Sequence, residues 1–314
     1  MPEYFISCDW GTSNFRLRLV KTDSLAVIFE SVSAKGIKIL HNDYLQQTKF
    51  NQYQFFCNYL ISQIKLLPKP YQNYRVVASG MVTANIGLHE LDYALMPFRN
   101  NGSTLLTKKI IVNNVLEVLL VSGVRNDFGM MRGEETQVIG LSDEIQKITS
   151  EGILLLPGTH SKHLTYKNGT FTELKSYMTG ELFEILSQKS ILANSIFKDA
   201  KDTLIEDAFF KGLKKGVKGE LTSSLFSIRA SDLLGLSKKE ENYYFLSGLI
   251  IGDELSYLKN EDKMVFLASP EPLSLLYKMA LEHILKSNNY NVFNRETSEK
   301  AILLGQQKIL KLYG

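Results

Sequence analysis

Asp9, Gly11, Thr12, Ser13 and Asn14 stand together in "DWGTSN", between the apolar-leaning runs "YFISC" and "FRLRLV". A glycine lets backbone approach a ligand closely and turn its amides outward. Thr12, Ser13 and Asn14 add side-chain donors. Asp9 adds a carboxylate able to hold Mg2+, usually through water. The set suits the terminal phosphates of a nucleotide, although Gly, Thr, Ser and Asn also favour ordinary turns. "LPGTHSKH" repeats the pattern: Gly158, Thr159, His160 and Ser161 separate two strand-like runs, and Lys162 supplies a fixed cation. His160 and His163 are three apart, but turn polarity accounts for them better than a metal pair does. A glycine-rich Walker loop is missing, so a P-loop kinase is not supported.

The elements that must position these residues alternate between strand and helix, which predicts an α/β fold. "YFISC" and "NFRLRLV" form an opening hairpin. "FNQYQFFCNYLISQIKLL" has helical spacing, with Tyr53, Phe56, Leu60 and Ile64 on one face. "YRVVASGM" and "VLEVLLVSGV" are strand regions, and 134–148 reads as a helix. The pattern then restarts with a hairpin over 152–171. Helices follow over 179–192, 202–217 and 242–258, then a strand over 264–269 and helices near 270–287 and 296–312. The predicted domains are 1–145, with the first hairpin, and 146–314, with the second. The last helix is a candidate to pack back on the N-terminal domain.

Composition narrows the classes. The net charge of +3 arises from 36 basic and 33 acidic residues scattered along 314 positions, so no nucleic-acid partner is implied. Two cysteines argue against a disulfide scaffold and fit a reducing compartment. The N-terminus lacks the pattern of a signal peptide, and runs such as "FLSGLIIG" are far too short to span a bilayer. Cytoplasmic residence without membrane contact is the expectation.

A phosphate hairpin at the head of each half resembles the two-domain actin-like ATPase (ribonuclease H-like) fold of sugar kinases and 70-kDa heat-shock chaperones. That likeness implies a nucleotide cleft between the halves, which would close over ligand. "DWGTSNFR", "SGMVTANIG", "MRGEETQVIG", "LPGTHSKH", "MTGELFEIL", "LFSIRASDLLG" and "FLSGLIIGDE" follow one another in this order. Together they resemble the 2-dehydro-3-deoxygalactonokinase family over most of the chain. The resemblance implies an ATP- and Mg2+-dependent kinase that phosphorylates the C6 hydroxyl of 2-dehydro-3-deoxy-D-galactonate in galactonate breakdown, as a monomer or homodimer. The alternatives are a kinase for the gluco epimer or another sugar acid, a non-catalytic actin-like ATP-binding switch, or a regulator that binds nucleotide or sugar. The family often has Trp where His163 and Leu88 stand. Its adenosine loop normally contains glycine, whereas here the late strand ends in "LASPEPLSLL", placing Ala268 and Ser269 at that site. Gly248, four residues before Gly252, is expected to allow close helix packing beside the nucleotide.

Within that resemblance the residues take roles. Phosphoryl transfer needs charge neutralisation, in-line positioning and an oriented hydroxyl. Asp9, Lys162 and the two hairpins serve the first. Glu134 is the expected base, being nearest the turn at Gly133, and Glu135 points about 100° away on a helix. Asp127 and Glu181 are the next candidates. Both glutamates also favour a helix N-terminus electrostatically. An anionic substrate asks for Arg or amides. Arg16, Arg132 and Arg229 lie inside the motifs and Arg125 close to one; Arg132, beside the base, ranks first, though any single Arg is more often in a surface ion pair. Gly80 and Met81, at a strand's C-terminal end, and Glu135 and Glu181 complete the substrate candidates.

Overall fold

The computed structural model describes residues 2–197, 204–287 and 289–314. The chain divides into two compact units. The first comprises Met1–Ser150, Thr165–Leu174 and Arg295–Gly314, and the second Glu151–Leu164 and Lys175–Asn294. A single cut at 145/146 therefore does not describe the packing. Residues 165–174, around the turn that follows the second hairpin, and the last helix count with the first unit.

The first unit runs β1 (Tyr4–Trp10), β2 (Phe15–Lys21), β3 (Val27–Ser33), α1 (Ile37–Leu45), α2 (Gln52–Ile64), β4 (Val76–Gly80), β5 (Ala94–Leu95), β6 (Phe98–Arg99), β7 (Thr107–Val112), β8 (Leu116–Val121), β9 (Val124–Arg125), β10 (Met130–Met131) and α3 (Glu134–Ile148). Its main sheet has the order β3-β2-β1-β4-β8-β7. β4 lies parallel to β1 and to β8, while β1–β2, β2–β3 and β7–β8 are antiparallel. Side-chain alternation splits β1 between two environments. Ile6, Cys8 and Trp10 enter a core with Phe56, Leu60 and Ile64 of α2. Ser7 and Asp9 stand on the other face, in register with Arg18 and Arg16. Asn51 starts α2 through a capping box with Gln54.

The second unit runs β11 (Glu151–Leu156), β12 (Ser161–Lys167), β13 (Thr170–Tyr177), α4 (Thr179–Lys189), α5 (Glu206–Val217), α6 (Leu221–Leu233), α7 (Lys239–Leu255), β14 (Met264–Leu267), α8 (Leu273–Ile284) and β15 (Tyr290–Val292). Residues 165–174 of β12 and β13 belong to the first unit, where Thr170 and Phe171 pair with Arg99 and Phe98. The order β15-β14-β11-β12-β13 reproduces β8-β4-β1-β2-β3. Again three consecutive strands, β11, β14 and β15, are parallel. A hairpin-led sheet with the same order in each half is the plan of the actin-like ATPases.

Glycines let helices touch through backbone. On α5 and α7, a Cβ at Gly212 would lie 2.0 Å from the Phe245 carbonyl oxygen, and one at Gly248 would lie 2.0 Å from that of Phe209. The final helix, α9 (Arg295–Tyr313), crosses α3 in the same way. A Cβ at Gly140 or Gly305 would fall 1.8 Å from the carbonyl oxygen of Ala301 or Thr136. Gln306 then donates to Ser79 Oγ at 3.0 Å and to the Cys8 carbonyl at 3.3 Å.

β3, α1, β7 and α6 are not legible in the sequence. β3 is a sheet edge with Val27, Ile28 and Val32 exposed, so its apolar residues follow no buried face. The helix expected from Asp202 begins at Glu206 as described, and Asp202 and Thr203 lie outside the described residues. Among the described residues, no helix is long and apolar enough to cross a membrane.

Candidate active site

The β1–β2 turn is held from behind. The carbonyls of Gly11, Thr12 and Ser13 accept the amides of Ile37, Lys38 and Gly36 at 3.0, 3.1 and 3.1 Å. The N-terminus of α1 is thus sealed on the hairpin tip. A trans peptide points its C=O and N–H in opposite directions, so the amides of Thr12, Ser13 and Asn14 turn away from α1. All three residues are exposed. Gly36 makes the seal possible, because a Cβ there would lie 2.3 Å from the Ser13 carbonyl carbon. Trp10, fully buried against Phe15, Phe56 and Tyr59, fixes the loop by donating its indole N–H to the Lys35 carbonyl at 3.1 Å.

Three loops of the first unit meet through two glycines of positive φ. Gly80 (φ 96°) lies against Trp10, where a Cβ would come within 2.7 Å of the carbonyl oxygen. Gly133 (φ 115°) lies against Gly80, its Cβ position 3.2 Å from the Gly80 Cα. Only glycine takes such conformations without strain. Their convergence brings Asp9, at the end of β1, into electrostatic range of Glu134, at the start of α3. Burial pushes the Asp9 carboxyl above its ordinary value; Arg16 and Arg18 pull it back, and Glu134 adds to the rise. One Glu134 oxygen accepts the Arg132 amide at 3.0 Å, which fixes the carboxyl at the helix start.

Glu135 and Arg132 are committed to structure. Glu135 is fully buried and accepts the Gly133 amide at 2.6 Å, while its Oε1 has no hydrogen-bond partner among the described residues. Burial, then the neighbouring Glu134, pushes its carboxyl up to about 8. Arg132 donates through Nη1 to the Thr83 carbonyl and hydroxyl, both at 2.6 Å, and through Nη2 to the Leu91 carbonyl at 3.2 Å. It also lies 4.0 Å over the Tyr93 ring. The residue ranked first for a substrate carboxylate therefore holds the loop after β4. Arg16 is less engaged: it is partly exposed and 3.7 Å from Glu30. Met81 is partly buried against the core, and Asp127 is exposed on a turn away from these contacts. Arg229 sits in the second unit, on α6, donating to the Ile191 carbonyl at 3.3 Å.

The second hairpin repeats the seal. The Thr159 carbonyl accepts the Glu181 amide of α4 at 3.0 Å. Gly180 packs on the tip, its Cβ position 2.6 Å from the Gly158 carbonyl oxygen. Gly158 itself faces open space, with nothing within 4 Å of a Cβ. Thr159 and His160 are exposed, and His160 pairs with Glu181 at 2.5 Å, so Glu181 belongs to this turn. Ser161 and Lys162 are buried rather than projecting. Ser161 Oγ is 3.3 Å from the Tyr277 hydroxyl, and Lys162 Nζ donates to the His160 carbonyl at 2.8 Å.

Beside this hairpin lies an apolar cavity of about 100 Å3, lined by Gly158, Thr179, Phe183, Tyr243, Pro272 and Tyr277 among others. Its largely apolar walls suit a flat aromatic group. The three adenosine candidates do not line it. Gly248 faces α5, one position from the lining Ser247. Ala268 bonds the β11 end through Leu155, and Ser269 bonds Pro270. The "SPEP" loop instead contributes Pro272 at the mouth. Sequence reasoning does not single out Gly36, Thr83 or Tyr277. The one available signal for Gly36 is a glycine in the N-cap position, where Ser, Asn or Asp ordinarily accepts the helix amides.

Comparison with known proteins bears on the same residues. The family model described as 2-keto-3-deoxy-galactonokinase matches residues 9–304, from the Asp9 hairpin into α9. The 2-dehydro-3-deoxygalactonokinase of Escherichia coli K12 is 27% identical over 295 residues, covering 90% of each chain. A crystal structure from Sinorhizobium meliloti, described as a candidate 2-dehydro-3-deoxygalactonokinase, superposes with a TM-score of 0.80 at 24% identity, covering 99% of this chain and 97% of the other. That likeness shows the shared fold. With the match running through both hairpins and the Gly133–Glu134 turn, the chain belongs to the 2-keto-3-deoxy-galactonokinase family of sugar-acid kinases.

Proposed function

We propose that the protein transfers the terminal phosphoryl group of ATP to the C6 hydroxyl of 2-dehydro-3-deoxy-D-galactonate. The observation that carries the residue assignment is the Trp10–Gly80–Gly133 contact, which brings Asp9, on the strand that leads into the Thr12–Asn14 turn, within electrostatic range of Glu134. Glu134 orients the substrate hydroxyl and accepts its proton late in the transfer. The tip amides take phosphate oxygens, as do Gly158 and Thr159 of the second hairpin. The cavity beside Gly158 takes the nucleobase. Arg16, cross-strand from Asp9 and only loosely engaged by Glu30, is the guanidinium assigned to an anionic substrate group, while Arg132 and Glu135 hold the loop.

Mg2+ fits this reading. Asp9 and Glu134 are neighbouring acidic groups, and a cation would relieve the burial and repulsion that raise the Asp9 carboxyl. Among the described residues no three His, Cys, Asp or Glu side chains cluster to hold a metal. A hard cation held by one carboxylate, water and substrate phosphates needs no such cluster. When bound, Mg2+ would neutralise charge on the transferring phosphoryl group.

The test is a coupled ADP assay across 2-keto-3-deoxy sugar acids that differ in configuration at one hydroxyl. Sugar-acid-dependent ADP release, greatest with the galacto acid, is expected. Release that ignores the sugar acid would overturn the proposal.

A further inference from the structure

A buried polar cluster lies under the apolar cavity. Glu254, on α7, is 3% exposed, and His163, on β12, is also 3% exposed. His163 Nε2 is 2.7 Å from Glu254 Oε1, and its Nδ1 is 2.8 Å from the Tyr257 hydroxyl. The other carboxyl oxygen, Oε2, accepts the hydroxyls of Thr179 and of Tyr277, the latter at 2.7 Å. Tyr277 in turn is 3.3 Å from Ser161 Oγ. Burial and then Glu254 push the Tyr277 phenol well above its ordinary value, so it remains the donor.

One carboxyl group thus ties four elements: α7, β12, the first residue of α4, and α8. Two of its partners, Thr179 and Tyr277, line the cavity. Thr179 also precedes Gly180 and Glu181, the residues that seal the second hairpin. Losing the Thr179 bond would free the start of α4 at the point where it grips Gly158 and Thr159.

We infer that Glu254, braced by His163, is a positioning residue for nucleotide binding: it holds Thr179 and Tyr277 so that the second hairpin and the cavity wall keep one geometry. Glu254 touches no reacting atom. This rests on the assignment of the cavity and second hairpin to ATP, and it assigns the nucleotide affinity to a carboxyl group outside the contact surface. A network that only stabilised the fold would leave the affinity of the folded protein unchanged.

The experiment measures the Kd of ATP by calorimetry without sugar acid, with KM values and thermal unfolding alongside. Thr179→Val removes one donor and keeps the shape, while Thr179→Ser keeps the donor. Thr179→Val is expected to raise the ATP Kd roughly tenfold, the scale of one lost buried hydrogen bond. Thr179→Ser should stay within about twofold. KM for the sugar acid should not move. Glu254→Gln should also stay close to wild type, because its carbonyl oxygen can accept from Thr179 and Tyr277 while its amide donates to His163. Glu254→Met should match or exceed Thr179→Val; should it fail to fold, the Thr179 pair decides. Equal ATP affinity for Thr179→Val and Thr179→Ser would overturn the inference, as would an equal rise in the KM for sugar acid. If wild type binds ATP but releases no ADP with any sugar acid, the kinase reading fails, and the Kd comparison still decides this one.

Discussion

Glu134 and Glu135 are adjacent in sequence and opposite in circumstance. Glu134 is partly exposed beside Asp9, while Glu135 is sealed against Gly133. Glu134→Gln is expected to lower kcat by roughly 10²–10⁴-fold with little change in KM for ATP, the range for a positioned acid–base group. Steady-state kinetics with saturating sugar acid checks this, and near-normal turnover would move the base elsewhere. Glu135 makes a stability prediction instead. Its carboxyl is raised from an ordinary 4.5 to about 8, so the folded state holds a proton that the unfolded state releases. Its contribution is fully present below pH 4.5 and is lost as pH rises toward 8. Gln mimics the protonated acid and does not titrate. Thermal unfolding of Glu135→Gln should match wild type near pH 4 and exceed it increasingly up to pH 8. A pH-independent offset would count against a proton held at this position. The "EE" pair and the choice of Glu134 over Glu135 as base could be argued from the sequence, but the complete burial of Glu135 could not. Which glutamate is buried depends on Gly133 meeting Gly80, a contact no local pattern encodes.

At the scale of elements, both hairpin turns are finished by a helix N-terminus whose amides the turn's carbonyls accept, α1 in one unit and α4 in the other. The hairpins themselves stood out in the sequence because Gly, Thr, Ser and Asn cluster locally. Gly36 did not, because its reason is a non-local approach to Ser13. The His163–Glu254 bond, spanning 91 residues, was hidden in the same way. Glycine substitutions separate packing from ligand space. Gly36→Ala and Gly180→Ala place a methyl at 2.3 and 2.6 Å from backbone and should lower Tm, since overpacking typically costs about 1–3 kcal/mol. Gly158→Ala meets nothing within 4 Å and should leave Tm unchanged. If phosphates occupy that open space, Gly158→Ala should nevertheless raise KM for ATP severalfold. Paired Tm and KM measurements check all three. An unaltered KM for Gly158→Ala would remove Gly158 from the phosphate contacts.

At the scale of the molecule, the first unit is completed by the last residues of the chain. The α/β class and the repeated hairpin-led halves could be read from the strand and helix alternation. The return of α9 could only be suspected, because its partner surface on α3 is set by Gly140 and Gly305 rather than by a long apolar stripe. α9 covers buried polar groups as well as apolar ones: Gln306 satisfies the Cys8 carbonyl and Ser79 Oγ, and Lys308 donates to the Ile139 carbonyl at 3.0 Å. Removing residues 295–314 would uncover the Thr136–Gly140 face of α3 and leave those groups without their partners. Unsatisfied polar groups and lost apolar burial together outweigh the few kcal/mol of net stability typical of a domain. The chain ending at Asn294 is therefore expected to lose the fold of its first unit even though most of that unit's sequence is present. The sole tryptophan, Trp10, reports directly, being fully buried in the first unit beside the β1–β2 turn. Its emission should shift to the red in the shortened chain and respond to iodide quenching, whereas in the full chain it should be blue-shifted and protected. Gly305→Val, which drives side-chain atoms into the Thr136 carbonyl, should move the emission in the same direction and lower the first unfolding transition. A shortened chain with native Trp10 emission and a cooperative unfolding transition would show that the first unit closes without α9.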